Sequence, residues 1–582
     1  MAAVAAVAVP GCALVAQERA PDRHRLSPIS SRGRLPVTGC AGQRISDIVI
    51  ITQPPYTERL PQRLEFLRRA ARQVHANTRD EVVRRYLLLR PGDVCNQIRR
   101  AESERILRAQ PFLVDARISV FDDEAGGVRL EVETRDEFSL MFALAVNAQA
   151  PIVQALRLGE SNLGGTARLA AVEWRNGRNY NDVYGAQFTD HQFAGDRNML
   201  RLFGIRRPRG QEMRAEIVRP YYTDLQRFAF IGSINGRRDY VNFRRPDGPD
   251  NSVNVTRQSA VMGGIARVGA IRQLKLAGLT LTHSRERVDS TTVVIAREGF
   301  LIDSGAPLGV SFRRQNVFRV NALFGVRRLR FVPVEGFDAL SGAQDLRVGF
   351  QMGTVFGQGI PIGAVRDRDR FMAATLYAGV GGPKTFLGTQ LITEARNDQT
   401  TRTWDNHIVS GRLAWYFRPA VRQLSIVGAE WSMGRDMHTP FQLSFADRLG
   451  GLRGHRNSQE AGAKRLVVRA EQRLVISSRL NVADIGIAGF AEAGRLWGEP
   501  SVPYSRSTPV RGAVGFSLLA AVPPRSRRLW RLDFALPLGS DRRKGFEFRI
   551  TNDDHTRVFW REPIDVTSAR ERTVPASLFT WP

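Results

Sequence analysis

The sequence predicts an α+β domain followed by an all-β transmembrane barrel, and three observations predict it. No stretch of the 582 residues approaches the ~20 apolar residues that a membrane helix needs. From about residue 138 onward, short segments alternate apolar and charged residues with a period of two, separated by turns rich in Gly, Asp, Asn and Arg. Before that point the pattern is mixed: strand, helix, helix, strand, strand. Strands that cross lipid must close on themselves, because only helices and closed barrels satisfy every backbone N–H and C=O there.

The amino terminus reads Met1-Ala-Ala-Val-Ala-Ala-Val-Ala-Val9 and continues through Ala13 and Ala16 before the charged Gln17-Glu-Arg. A short apolar run ending in small residues predicts a secretory signal over 1–16, with a plain Ala/Val leader as the other reading. Val9-Pro-Gly-Cys12 departs from a lipoprotein cleavage box at its proline. Residues 17–43, rich in Arg, Pro, Ser and Gly without periodicity, predict a linker.

A mixed domain is predicted over 44–137. Ile45-Ser-Asp-Ile-Val-Ile-Ile-Thr52 has the character of a strand, ended by Pro54-Pro55, and Leu60 to Val74 is helical in pattern. Thr78-Arg-Asp-Glu81 has the form of a capping box. Arg90-Pro-Gly-Asp93 predicts a turn into a second helix with Asp93 as its N-cap, and with Val94, Ile98, Ala101, Ile106 and Leu107 on its buried side. The strands Phe112–Phe121 and Gly127–Thr134 then flank Asp122-Asp-Glu-Ala-Gly-Gly127, whose glycines suit a hairpin.

Over 138–560 the alternation is clearest late. Along 465–476, Leu466, Val468, Ala470, Leu474 and Ile476 share one face, opposite Arg465, Arg469, Glu471 and Arg473. In 530–538, Trp530, Leu532, Phe534, Leu536 and Leu538 oppose Arg531 and Asp533; Met213, Ala215 and Ile217 alternate with Glu212, Arg214 and Glu216. An apolar outer face over a charged inner one, in segments of about ten residues, is the pattern of a membrane barrel with a wet lumen. Fifteen to eighteen candidate strands are countable, and residues 561–582 follow as a charged tail closing in Leu578-Phe-Thr-Trp-Pro582.

A net charge of +28 raises nucleic acid or an anionic membrane as a partner. Lysine occurs only at Lys275, Lys384, Lys464 and Lys544, so 81 of the 85 basic residues are Arg, scattered along the chain. A nucleic-acid module clusters its basic residues and interleaves aromatics, so no nucleic-acid partner is expected. Of the three cysteines, Cys12 leaves with the signal, and Cys40 and Cys95 are free to pair in an oxidising compartment, which spacing alone does not decide.

Two resemblances sharpen this reading. Leu-Leu-Leu-Arg-Pro-Gly-Asp93 leading into a helix, then Phe112 and the run Val128–Val132 with Glu133, resembles the POTRA module, the polypeptide-transport-associated domain; the helical segment 54–77 departs from it. The stretch Asp447-Arg-Leu-Gly-Gly-Leu-Arg453-Gly454-His-Arg456 resembles the BamA/TamA outer-membrane assembly-factor superfamily, whose barrels fold a loop with an Arg-Gly motif back into the lumen. Arg32-Gly33, Arg209-Gly210 and Arg511-Gly512 share the dipeptide, so its surroundings carry the signal.

In that family the loop arginine meets acidic side chains on the next two strands. Here these positions read Ala470-Glu471-Gln472-Arg473 and Phe490-Ala491-Glu492-Ala493-Gly494, with Trp497 beyond and Glu492 where the family has Asp. An Arg fork binds carboxylates bidentately, and buried charges demand such partners. Five strands are expected after the loop, at 465–476, 484–492, 511–520, 529–538 and 545–551, in keeping with the sixteen antiparallel strands that the resemblance implies. The last carries Arg543-Lys-Gly545-Phe-Glu-Phe548-Arg-Ile550, similar to the signal by which barrels are recognised for insertion. Leu158-Gly-Glu-Ser-Asn162-Leu-Gly-Gly-Thr-Ala167 is similar to the family's Asn-Leu-x-Gly segment, or equally is a glycine-rich hairpin.

The resemblance implies a periplasmic module offering its sheet edge to unfolded outer-membrane clients, a weak seam between first and last strands, contact with outer-membrane lipids, and periplasmic lipoproteins or chaperones as further partners. Neither a cofactor, a metal nor a catalytic residue is expected. Gly159-Glu-Ser161-Asn-Leu-Gly164 misses a nucleophile elbow, Gly381-Gly-Pro-Lys384-Thr385 misses a phosphate loop, and no His-x-x-x-His occurs. A passive or lipid-handling channel, a membrane hydrolase and a soluble nucleic-acid binder are the alternatives.

Overall fold

The computed structural model describes residues 39–579 apart from 56–75, 124–125, 147–152, 177–181, 208, 297–298, 304, 306–307, 366, 400–401, 447–449, 477–482, 540–544 and 555–560. The expected signal, most of the linker, the helix over 60–74, Arg543, Lys544 and Thr580–Pro582 lie outside the described residues.

The amino-terminal domain contains β1 (Ala41–Gln53), α1 (Asp80–Tyr86), β2 (Val94–Asn96), α2 (Gln97–Arg108), β3 (Leu113–Asp122) and β4 (Val128–Asp136). Its sheet runs β2-β1-β4-β3, with β1 parallel to β4 and both edges antiparallel. Ile45 and Ile48 of β1, brought to one face by a register shift between Ile45 and Asp47, and alternate residues Val128, Leu130 and Val132 of β4 are buried against Val82, Val83, Tyr86, Ile106 and Leu107 of the helices. A disulfide between Cys40 and Cys95, with Cα atoms 5.0 Å apart, ties the start of β1 to β2.

Three local expectations are corrected. Thr78 caps no helix: its N–H and hydroxyl both donate to the carboxylate of Asp136, at 2.7 and 2.8 Å, and α1 begins without a side-chain cap. Asn96, not Asp93, caps α2, accepting from the N–H groups of Ile98 and Arg99; Asp93 is spent on the preceding turn, where it accepts from Arg90 N–H. Val94 and Ile98 are exposed, so the buried side of α2 is carried by Ser103, Arg105, Ile106 and Leu107.

From Leu140 to Asp554 an antiparallel sheet closes into a barrel. Among the described residues it includes twenty-one strands, one of which, Gly299–Ile302, pairs only with the end of Gln273–Ala296 and stands outside the ring. This exceeds the expected sixteen. The excess lies before the Arg-Gly loop, where strands such as Val153–Glu160 and Arg168–Arg175 are only 8 residues long and carry a weak alternation. After the loop there are five: Lys464–Ile476, Asp484–Trp497, Arg511–Ala521, Arg528–Leu538 and Glu547–Asp554.

Strand length varies systematically around the ring. The first and last strands have 7 and 8 residues, whereas Gln273–Ala296, on the far side, has 24. The two faces differ in chemistry. Leu466, Val468, Leu474, Ile485, Ile487, Phe516 and Trp415 are exposed outward, while Arg319, Arg465, Arg531, Glu492 and Asp533 are buried inward. A large contiguous apolar exterior finds its favourable solvent in lipid, not in water.

Candidate functional site

Within the lumen, the segment between Gln423–Arg435 and Lys464–Ile476 folds inward. Its Met437, Phe441, Leu443, Phe445 and Leu452 pack with Val467 and Leu496 of the wall into one apolar cluster. Gly451 permits the turn, because a Cβ there would lie 1.9 Å from the Phe445 carbonyl oxygen. Gly494 gives that Phe445 ring its place, since a Cβ would come within 3.0 Å of it. Two wall arginines hold the loop backbone: Arg465 donates to Ser444 O at 2.6 Å and Arg469 to Gly451 O at 2.7 Å.

Arg453 stands at the loop tip and is 9% exposed. Its backbone N–H and its Nε both donate to Glu492, at 2.8 and 2.7 Å, so one carboxylate grips main chain and side chain together. Nη1 reaches Glu471 at 3.3 Å and lies 3.7 Å from Asp533. The guanidinium carbon sits 3.5 Å above the centre of the Phe490 ring, a cation–π contact. Gly454 follows with φ +77, a conformation costly for residues with a Cβ. The longer Glu492 thus spans the distance to the loop. Period two explains why Phe490 and Glu492 share the inward face and why Glu471 joins them from the neighbouring strand.

Sequence reasoning missed the other half of this cluster. Arg531 donates to Glu471 at 2.9 and 3.1 Å and lies 3.3 Å from Asp533, which also accepts from Ser517 at 2.6 Å and Arg549 at 2.8 Å. Arg473 bonds Glu471 at 2.6 Å and the Asp338 carbonyl at 2.8 Å, linking the cluster to the turn at 336–342. The alternation of Arg531 and Asp533 in a greasy strand was the available signal. These groups neutralise one another as charge-assisted forks; the chemistry is bracing, with no activated nucleophile among them.

The last strand follows Gly545, which has φ +74. Phe548 and Ile550 pair across from Phe534 and Leu532 and so share their outward face, whereas Arg549 points to Asp533. These residues belong to the wall and the closure, apart from the Arg453 cluster.

A second assembly joins the amino-terminal domain to one mouth of the barrel. Asn162, in the turn before Arg168–Arg175, donates to the Thr78 hydroxyl at 2.8 Å and accepts from Ala167 N–H at 2.8 Å. Arg79 N–H donates to Gly165 O at 3.0 Å, and a Cβ on Gly165 would meet Asn77 O at 2.0 Å, so this glycine permits the close approach of the two chains. Around the rim, Arg108 pairs with Asp345 at 3.0 Å, Tyr86 OH donates to His191 O at 3.3 Å, and Ser526 donates to Glu137 at 2.9 Å. Burial pushes the Glu137 carboxyl above the usual carboxylate range.

Fold and site together define a closed antiparallel barrel with a greasy exterior, an ionically braced lumen and an α+β domain docked at one mouth. No protein-family profile matches the sequence, and no curated protein matches it. Among solved structures, the chain is similar to BamA from Haemophilus ducreyi lacking POTRA domains 1–3, at 13% identity, 88% of this chain, 85% of that one and a TM-score of 0.38. It is likewise similar to CdiB from Escherichia coli, at 11% identity, 88% and 76% coverage and 0.40. CdiB from Acinetobacter baumannii gives 10%, 88%, 74% and 0.40.

Proposed function

We propose that this chain is an outer-membrane barrel that assists the insertion or translocation of other outer-membrane or surface proteins. In this reading residues 44–137 are a POTRA-like periplasmic domain that receives unfolded clients by strand addition at a sheet edge. Its partners are those clients, outer-membrane lipids, and periplasmic lipoproteins or chaperones that deliver them. The barrel hands the client to the membrane through the seam between its first and last strands.

The observation that carries the reading is the contrast around the ring. A junction between strands of 7 and 8 residues offers few ladder hydrogen bonds, and lies in the same ring as a strand of 24. Across that junction Asn552 donates to Phe142 O at 3.1 Å, and Phe142 stacks on Trp530 with ring centres 6.4 Å apart. Arg453, bonded to Glu471 and Glu492 one and two strands downstream of its loop, braces the wall leading to the seam while the seam itself stays weak. A lumen filled by an inward loop fits a gated device better than a passive channel.

The test is to lock the seam. A Phe142→Cys/Asn552→Cys pair, oxidised in the folded protein, is expected to stop client assembly, and reductant is expected to restore it, with wild type under the same reductant as control. Undiminished assembly through a locked seam refutes lateral release.

A further inference from the structure

Residues 561–579, beyond the last strand, lie inside the lumen. They carry α3 (Ile564–Ala569) and α4 (Ala576–Phe579). Val566 and Ala569 complete the apolar cluster of the inward loop, and Leu578 and Phe579 enter a second cluster with Leu323, Val355 and Phe371 of the wall. Wall and loop are cut to fit: a Cβ on Gly353 of the wall would stand 2.6 Å from the Phe579 ring, and one on Gly450 of the inward loop 2.4 Å from Pro563.

Charge matches as closely as shape. Glu571 bonds Arg319 at 3.1 Å and Arg396 at 2.7 Å and accepts from Ser284 at 3.1 Å. Asp565 takes both ends of the Arg465 fork, at 2.6 and 3.0 Å, and Arg572 bonds Glu212 at 3.0 Å. Arg319 and Arg465 are each about 1–2% exposed, so these pairs are shielded from water and salt. Yet among the described residues the segment adds no strand to the wall, and it can leave without breaking a ladder. On departure Arg319 keeps Asp369, whose oxygen lies 2.8 Å from Nε, and Arg396 keeps the side-chain oxygen of Gln315. What is then left open is the pair Arg319 and Arg396 beside an apolar slot, with Glu394, which had accepted from the Glu571 N–H at 3.0 Å and paired with Arg570, next to them.

We infer that the lumen wall is a binding site for an acidic peptide segment, Arg319 and Arg396 taking its carboxylate and the slot at Gly353 its aromatic residue, and that residues 561–579 occupy it as a displaceable plug. The inference rests on the barrel reading and not on the seam. An acidic client segment entering the lumen competes with the tail for the same arginines, so occupancy by one expels the other.

The test uses the full chain with a protease site placed within 555–560, folded and reconstituted in a planar bilayer before cleavage. Small conductance is expected in the intact protein, a several-fold rise once the tail is cut and washed away in urea too dilute to unfold the barrel, and renewed block, after the urea is removed, by a synthetic peptide of residues 561–582. A peptide carrying E571Q is expected to block about tenfold more weakly, which corresponds to the loss of about 1.4 kcal/mol. In the uncut chain, E571Q alone is expected to raise the frequency of openings. A conductance unchanged after the fragment has gone, a fragment that the urea wash cannot remove, or equal block by both peptides overturns the proposal. Seam locking changes none of these readings, so the two proposals fail separately.

Discussion

Two ionic clusters share the lumen and differ in how they are made. Around Arg453 every acid belongs to the wall: Glu471, Glu492 and Asp533 sit on strands within five of the carboxy-terminal end, and Arg531 and Arg473 cross-link them. Around Arg319 and Arg396 the central acid, Glu571, arrives from a tail lying 252 and 175 residues away in sequence. The first arrangement is part of the barrel, and loss of Arg453 leaves Glu471 to Arg531 and Arg473 and leaves Glu492 only the longer contact to Arg469, at 3.5 Å, among the wall arginines. The second can be undone by moving one segment. Identical pair chemistry therefore serves bracing in one place and reversible closure in the other, and chain connectivity decides which.

The largest expected effect separates them directly. Arg453→Ala leaves Glu492 only the backbone N–H of position 453 and Arg469 at 3.5 Å, and weakens Glu471, and breaking a buried pair by removing one partner costs about 3–5 kcal/mol. Its barrel is expected to lose its compact form in detergent at a temperature several degrees below wild type, with loss of client assembly, read by gel mobility without boiling. Glu571→Ala is expected to leave that temperature nearly unchanged, because Arg319 keeps Asp369. Equal shifts in the two variants break the comparison. The double variant Arg453→Ala/Glu492→Ala sharpens it: removing the carboxylate that has lost its fork is expected to recover part of the loss, measured by the same melting.

Smaller effects follow at the docked domain. The disulfide closes a span of 55 residues, and opening it by Cys40→Ser is expected to cost the amino-terminal domain about 4 kcal/mol. Chemical unfolding followed by hydrogen exchange in 41–136 checks this, with the barrel unaffected. Asn162→Ala removes the bond to Thr78 and leaves Ala167 N–H unpaired, a loss of about 1–3 kcal/mol. Faster exchange at 76–80, with unchanged exchange in 465–476, is the expected outcome.

The legibility of the sequence follows the same division. The five strands after the loop were readable because strict alternation and glycine turns are local signals, and because Arg453, Glu471 and Glu492 fall within forty residues. The early barrel was undercounted, since strands of 7 to 11 residues leave too few alternations to separate strand from turn. Thr78 looked like a cap because its spacing to Glu81 is right; a carboxylate 58 residues away captured it instead. The tail gave no pattern, as helices of 6 and 4 residues are too short to show a period and their partners are remote. Asn162 stood in a legible glycine-rich turn, but its partner on the amino-terminal domain was invisible without the fold.

The central claim is a cylinder with lipid outside and charge within, and single-cysteine labelling along 465–476 of the protein in lipid vesicles, on a background in which Cys40 and Cys95 remain paired, tests it most directly. Labels at Leu466, Val468, Ala470 and Leu474 are predicted to be quenched by a lipid-soluble agent, and those at Val467, Arg469, Glu471 and Arg473 to be protected from it. Uniform access to a water-soluble quencher at all eight positions contradicts the account.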